Sequence, residues 1–305
     1  MVLRLVPGTP PAVAVNFFVL DVIIISLLMV VVVFLVSIIR SFVTPQKIKA
    51  LLEGRSEGTG NLIAALIGVP TPFCSCSAVP FFIGAVEAGI PLGITFSFLI
   101  ASPLVNEVAI AMLLAMFGWQ IALMYIVSGI IIAVIAGIII GRLHLESEIE
   151  EFVFTTKIPL PEEKAMDWRD RILFAFRESR ETYRNVIPFI LLGIGIGAIL
   201  YGYVPADFLV NFVGKDNPLA VPLVVLIGIP LYSNAAALFP IVSVLTAKGM
   251  ATGTVLAFMM AVIGLSLPEM IILRKVIKMR LLAVFVFTLF IAFTLTGYLF
   301  NALLG

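Results

Sequence analysis

At 305 residues the chain is 62% hydrophobic and 12% charged, with a mean hydropathy of +1.20, a composition that excludes a soluble globular domain and identifies a polytopic membrane protein. The net charge of +1 selects no partner, and nucleic acid is not expected among them. Two cysteines in 305 residues are too few for the disulfide framework of a secreted domain.

In chain order, the opening MVLRLVPGTPPAVAVNFF has one arginine and three prolines and does not read as a removable signal peptide. Apolar runs follow at 16–39, 92–117, 119–141, 185–203, 250–273 and 281–300, each about the roughly 20 residues that a helix needs to cross the hydrocarbon core. Six spans are therefore the minimum. Two further apolar stretches, 61–91 and 219–247, are too long and too interrupted by Pro and Gly to be ordinary spans.

The first of these stretches contains GVPTPFCSCSAVPFFIGAVEAGIP and both cysteines. Cys74 and Cys76 flank Ser75 just before an apolar run that begins at Ala78, which puts the thiols near the amino-terminal end of a half-helix. Unpaired backbone N–H groups and the helix dipole favour an anion there. A thiolate pair among small neighbours (Ser75, Ser77) suits a soft, thiophilic guest such as trivalent arsenic, antimony or Cu(I). The residues alone leave a second reading open, in which both cysteines are small packing residues at a helix contact.

Displacing the sequence by 160 residues lays Gly68 on Gly228, Pro70 on Pro230, Pro80 on Pro240, Gly89 on Gly249, Gly93 on Gly253 and Gly137 on Gly297. Because Gly and Pro mark backbone breaks, this agreement argues for a repeated broken-helix architecture. The counterpart of the cysteine stretch reads GIPLYSNAAALFP. It keeps the break but replaces the thiols, leaving Tyr232, Ser233 and Asn234 to supply hydrogen bonds or a helix cap.

Charge then orients the halves. Four Lys or Arg lie in 40–55, eight in 142–184 and four in 274–280, whereas 203–218 holds only Lys215 and 117–120 holds none. The basic segments are expected on the cytoplasmic side. Corresponding loops then face opposite sides, as in an inverted-topology repeat. Parity is satisfied when 61–91 and 219–247 each enter and return as a re-entrant hairpin, their irregular backbone buried in protein near the midplane.

The expected fold is an all-α polytopic membrane protein of two inverted-topology repeats, each with three long spans plus one broken-helix hairpin. The first repeat covers 1–141 and the second 185–305. Between them, 142–184 carries 18 charged residues and reads as a cytoplasmic linker, extended or loosely ordered at its start and lying along the membrane surface as a helix at its end.

Intramembrane acids carry a functional reading by default, since a charge in lipid is expensive. Glu107, beside Asn106 and near the centre of its apolar run, is the first candidate for a proton carrier. Glu269 is the second, with a surface ion pair to Arg274 as the alternative. No nucleotide-binding loop, metal-hydrolysis motif or nucleophile–base spacing is found, so the chain is not read as an enzyme or an ATPase.

Three stretches, TPFCSCSAVP (71–80), GAVEAGIPLG (84–93) and ASPLVNE (101–107), resemble the predicted-permease family of prokaryotic membrane proteins, similar to organoarsenical efflux permeases. The resemblance covers the full length. It implies a multi-pass permease of the cytoplasmic membrane without a cofactor, exporting a small-molecule or metalloid substrate held by Cys74 and Cys76. Homo-oligomerisation is left open. The rival is a transmembrane thiol-disulfide oxidoreductase, which would most simply have one cysteine per half.

Overall fold

The computed structural model describes residues 10–40, 57–69, 82–86, 89–150, 167–203, 217, 219–231, 238, 241–243, 245–246 and 249–304. It is helical, and no strand occurs among the described residues. The principal helices are α1 (Pro10–Arg40), α2 (Glu57–Gly68), α3 (Leu92–Leu104), α4 (Glu107–Arg142), α5 (Trp168–Tyr203), α6 (Ala220–Gly228), α7 (Thr252–Gly264), α8 (Leu267–Arg274) and α9 (Met279–Leu304). Among the described residues three segments, Glu107–Arg142, Thr252–Arg274 and Met279–Leu304, are long and apolar enough to cross a membrane.

Without a hydrophobic drive between helices in lipid, association depends on small residues that let backbones approach. The sequence supplies them in pairs. Gly93 of α3 lies so close to α4 that an added Cβ would stand 2.5 Å from the Gly137 carbonyl oxygen, and Gly253 of α7 lies likewise against Gly297 and Asn301 of α9. Asn61 of α2 is buried and ties the first trio together, donating through Nδ2 to the Gly93 carbonyl (3.0 Å) and to Ser97 Oγ (2.9 Å). Ser97 in turn donates to the Ala133 carbonyl at 2.9 Å. In the second trio, α6, α7 and α9, Asn301 takes the bonding role, accepting from the Thr254 amide and donating to its hydroxyl.

The register of 160 residues is visible in the backbone. Helices α3 and α7 share bounds under it, as do the ends of α2 and α6 at Gly68 and Gly228. Gly89 (φ 77°) and Gly249 (φ 81°) both adopt the left-handed conformation that residues with a Cβ avoid. Each closes the same turn: Gly89 and Ile90 donate to Val86 and Ala85, and Gly249 and Met250 donate to Thr246 and Leu245.

The structure departs from the sequence reading in three places. The apolar run 92–117 is two helices, because α3 ends at Leu104 after the internal Pro103 and α4 begins at Glu107. Asn106 makes that break self-sufficient: its Oδ1 accepts from the Ala109 amide (2.8 Å) and its Nδ2 donates to the Pro103 carbonyl (2.7 Å). The turn expected at 117–120 is present at Gly118 (φ 81°), where two helical stretches of α4 meet and from which Gly129 comes back to Val105.

Second, the end of the linker does not form a separate surface helix. Residues 168–184 and the apolar 185–203 are one continuous helix, α5, which runs antiparallel to α1: Ser179 Oγ donates to the Val30 carbonyl at 2.9 Å, while Gly195 lies beside Phe18. Packing against an apolar helix outweighs the charge of its first turns.

Third, the start of the linker is ordered. Ile149 pairs with Ile277 in an isolated antiparallel bridge, with Glu150 N donating to Val276 O (2.9 Å) and Lys278 N to Glu148 O (2.7 Å). Arg274 reaches Glu150 Oε1 at 3.0 Å, and Lys278 Nζ donates to the Ser147 carbonyl at 2.9 Å. The linker's acidic start and the basic loop 274–280 thus complement each other.

The core joins both halves through an aromatic run. Phe82 stands edge-on to Phe96 (centroids 5.2 Å), and Phe96 of α3 meets Phe285 of α9 at 5.6 Å.

Candidate functional site

Two helix breaks, at 105–106 and 265–266, lie close to each other. An added Cβ on Gly264, at the end of α7, would come within 3.6 Å of Leu104, at the end of α3. These two residues are equivalent under the repeat. Gly129 of α4 covers the first break, against Val105 and Leu104.

Each break restarts as a helix with an acid in its first turn, Glu107 in α4 and Glu269 in α8. Exposed N–H groups and the helix dipole favour a carboxylate there. The two acids have different surroundings. Glu107 is exposed beside its partly buried cap Asn106, whereas Glu269 is 2% exposed. Arg274 donates to Glu150 Oε1 and to the Ile277 carbonyl. Of the two acids, the enclosed one is Glu269 of α8.

Two groups near these breaks have little sequence signature. Ser266 stands at the N-cap of α8 as Asn106 does for α4, but its hydroxyl makes no cap bond, is buried, and has no hydrogen-bond partner among the described residues. Tyr125 of α4 is completely buried, and its hydroxyl is likewise unpartnered among the described residues. It lies one helical turn before Gly129, hence on the face that covers the first break. Ser266 could have been found as the repeat counterpart of Asn106. Tyr125 could not, because its counterpart is Phe285.

An interior of broken helices, a buried carboxylate and unsatisfied hydroxyls can take up and release a proton or accept hydrogen bonds from a polar guest. Cys74, Ser75, Cys76, Ser77, Tyr232, Ser233 and Asn234 lie outside the described residues. Among the described residues no cluster of three His, Cys, Asp or Glu side chains could hold a metal ion.

Comparison with known proteins extends the reading. A family model described as a predicted permease matches residues 12–302. The chain is similar to UPF0718 protein MJ0584 of Methanocaldococcus jannaschii, with 21% identity covering 79% of this chain and 82% of the relative. It is also similar to UPF0718 protein YraQ of Escherichia coli, with 26% identity covering 73% of this chain and 62% of the relative. No solved structure matches.

Proposed function

Since the chain belongs to the predicted-permease family, we propose that it is a secondary transporter of the cytoplasmic membrane that exports a thiophilic metalloid or soft metal species, such as a trivalent arsenical, in exchange for protons. The observation that carries this reading is the meeting of two equivalent helix breaks, Leu104 against Gly264, with a buried Glu269 beside one of them. Irregular backbone at membrane depth is tolerated where protein or a watery cavity satisfies it, and transporters place substrate and coupling ions at such breaks between repeats.

The proposed architecture is two inverted repeats, 1–141 and 185–305, joined by the linker 142–184. Its support is the repeated turn at Gly89 and Gly249 together with the charge bias of the loops. The pairing of Ile149 with Ile277 brings together two segments that the charge rule assigns to the same side. In this scheme Cys74 and Cys76 hold the substrate, with Ser75, Ser77, Tyr232, Ser233 and Asn234 around it. Glu269 carries the coupled proton, while Glu107 with its cap Asn106 occupies the corresponding place in the first half.

The test is transport of arsenite and methylated arsenite into inside-out vesicles under an imposed proton gradient. Wild-type protein is expected to accumulate substrate, Cys74→Ser/Cys76→Ser to lose it, and Glu269→Gln to lose its dependence on the gradient. Full transport by the double cysteine variant would remove the thiols from the mechanism. A mixed disulfide trapped with a thioredoxin-like protein would instead favour the oxidoreductase.

A further inference from the structure

The helix pair α1 and α5 encloses a groove that the transport reading does not use. It is a cavity of about 460 Å³ lined by Val30, Val31, Phe34, Phe176, Ser179, Arg180 and Tyr183, within the roughly 300–1,000 Å³ range of pockets that hold small ligands. Its walls are aliphatic and aromatic, and its charge is the Arg180 guanidinium. Residues one turn away on the same face of α5 add two more cations, Arg177 and Arg184. Glu181 lies about 100° around the helix from Arg180 but one turn from both Arg177 and Arg184, so it offsets one of the three positive charges and leaves this face net cationic. Among the described residues no carboxylate pairs with Arg177, Arg180 or Arg184.

Because Ser179 bonds to Val30, Arg180 stands beside the apolar VVVVFLV run of α1, with its side chain exposed at the edge of the groove. The loop after α1 is basic and is expected on the cytoplasmic side, where anionic lipids give the leaflet its negative surface potential.

We infer that the groove between α1 and α5 binds an anionic phospholipid of the cytoplasmic leaflet, its acyl chain along Val31, Phe34 and Phe176 and its phosphate on Arg180. Arg177 and Arg184 favour an anionic over a zwitterionic headgroup, because a net negative lipid neutralises the cluster. Ser179 already donates to Val30, so it shapes the wall and does not select the headgroup.

The experiment is native mass spectrometry of the full-length protein released from vesicles with equal amounts of phosphatidylglycerol and phosphatidylcholine. Wild-type protein is expected to retain phosphatidylglycerol in preference. Arg180→Gln should reduce that preference about fivefold, the worth of one cation near an anionic surface. Val31→Trp, which fills the groove without changing its charge, should reduce retention as well, and keeps the test decisive if the Arg180 variant does not fold. Arg169→Gln, at the start of α5 and outside the groove, should match the wild type. Equal retention of both lipids by the wild type, or unchanged retention in Val31→Trp, overturns the inference. So does a lipid-free dimer mass, which would identify a second copy of the chain as the occupant.

Discussion

Gly93→Ala tests the helix packing most directly. The new methyl group would stand 2.5 Å from the Gly137 carbonyl oxygen and 2.9 Å from the Gly141 Cα. Both are backbone atoms of α4, so no side chain can rotate away, and α3 and α4 must separate. Separation also stretches the bond from Asn61 Nδ2 to the Gly93 carbonyl, now 3.0 Å. Overpacking of this kind costs about 1–3 kcal/mol, to which a weakened interhelical hydrogen bond adds about 0.6 kcal/mol. The assay is thermal unfolding of the purified protein in detergent, with Gly58→Ala as the control. Gly58 has nothing within 4 Å of an added Cβ, so that change should be neutral or slightly stabilising through helix propensity. A Gly93→Ala protein as stable as the Gly58→Ala protein would refute the close approach of α3 to α4.

Further outcomes follow from other contacts. Asn61→Ala removes both of its bonds at a fully buried site and should destabilise by about 1–2 kcal/mol, measured by the same unfolding assay. Gly249→Ala has open space around the new methyl group but keeps a φ of 81°, so its cost should be purely conformational, about 1–2 kcal/mol. Arg274→Ala breaks an ion pair whose side chains are 45% and 33% exposed; solvent screening should hold its effect on stability below about 1 kcal/mol. Glu269→Asp, which keeps the carboxylate, should retain gradient-driven transport better than Glu269→Gln in the vesicle assay, and equal loss in both would remove the proton from its role.

The repeated turns of the backbone were legible because Gly and Pro report backbone geometry. The pairing of Gly89 with Gly249 in the sequence reappears as two left-handed turns with the same hydrogen bonds. The break at 105–106 was not legible, since the run 92–117 is apolar on average and hydropathy does not register a capped interruption. Its markers, Pro103 and Asn106, become a break only when Asn106 satisfies the local backbone. Glu107, central in that run, stands at a helix start, where its side chain is exposed.

By itself the sequence determined that the chain is a membrane protein, where its backbone breaks repeat, and which loops are basic, because these depend on composition and on residue types with intrinsic conformational limits. The tertiary structure decided which acid is enclosed. Burial depends on neighbours from distant segments, so Glu269, five residues from Arg274, is covered while that arginine reaches across to Glu150. It also decided that 168–203 is one helix, because the long apolar surface of α1 is available to pack against, a fact that no local pattern of charge records.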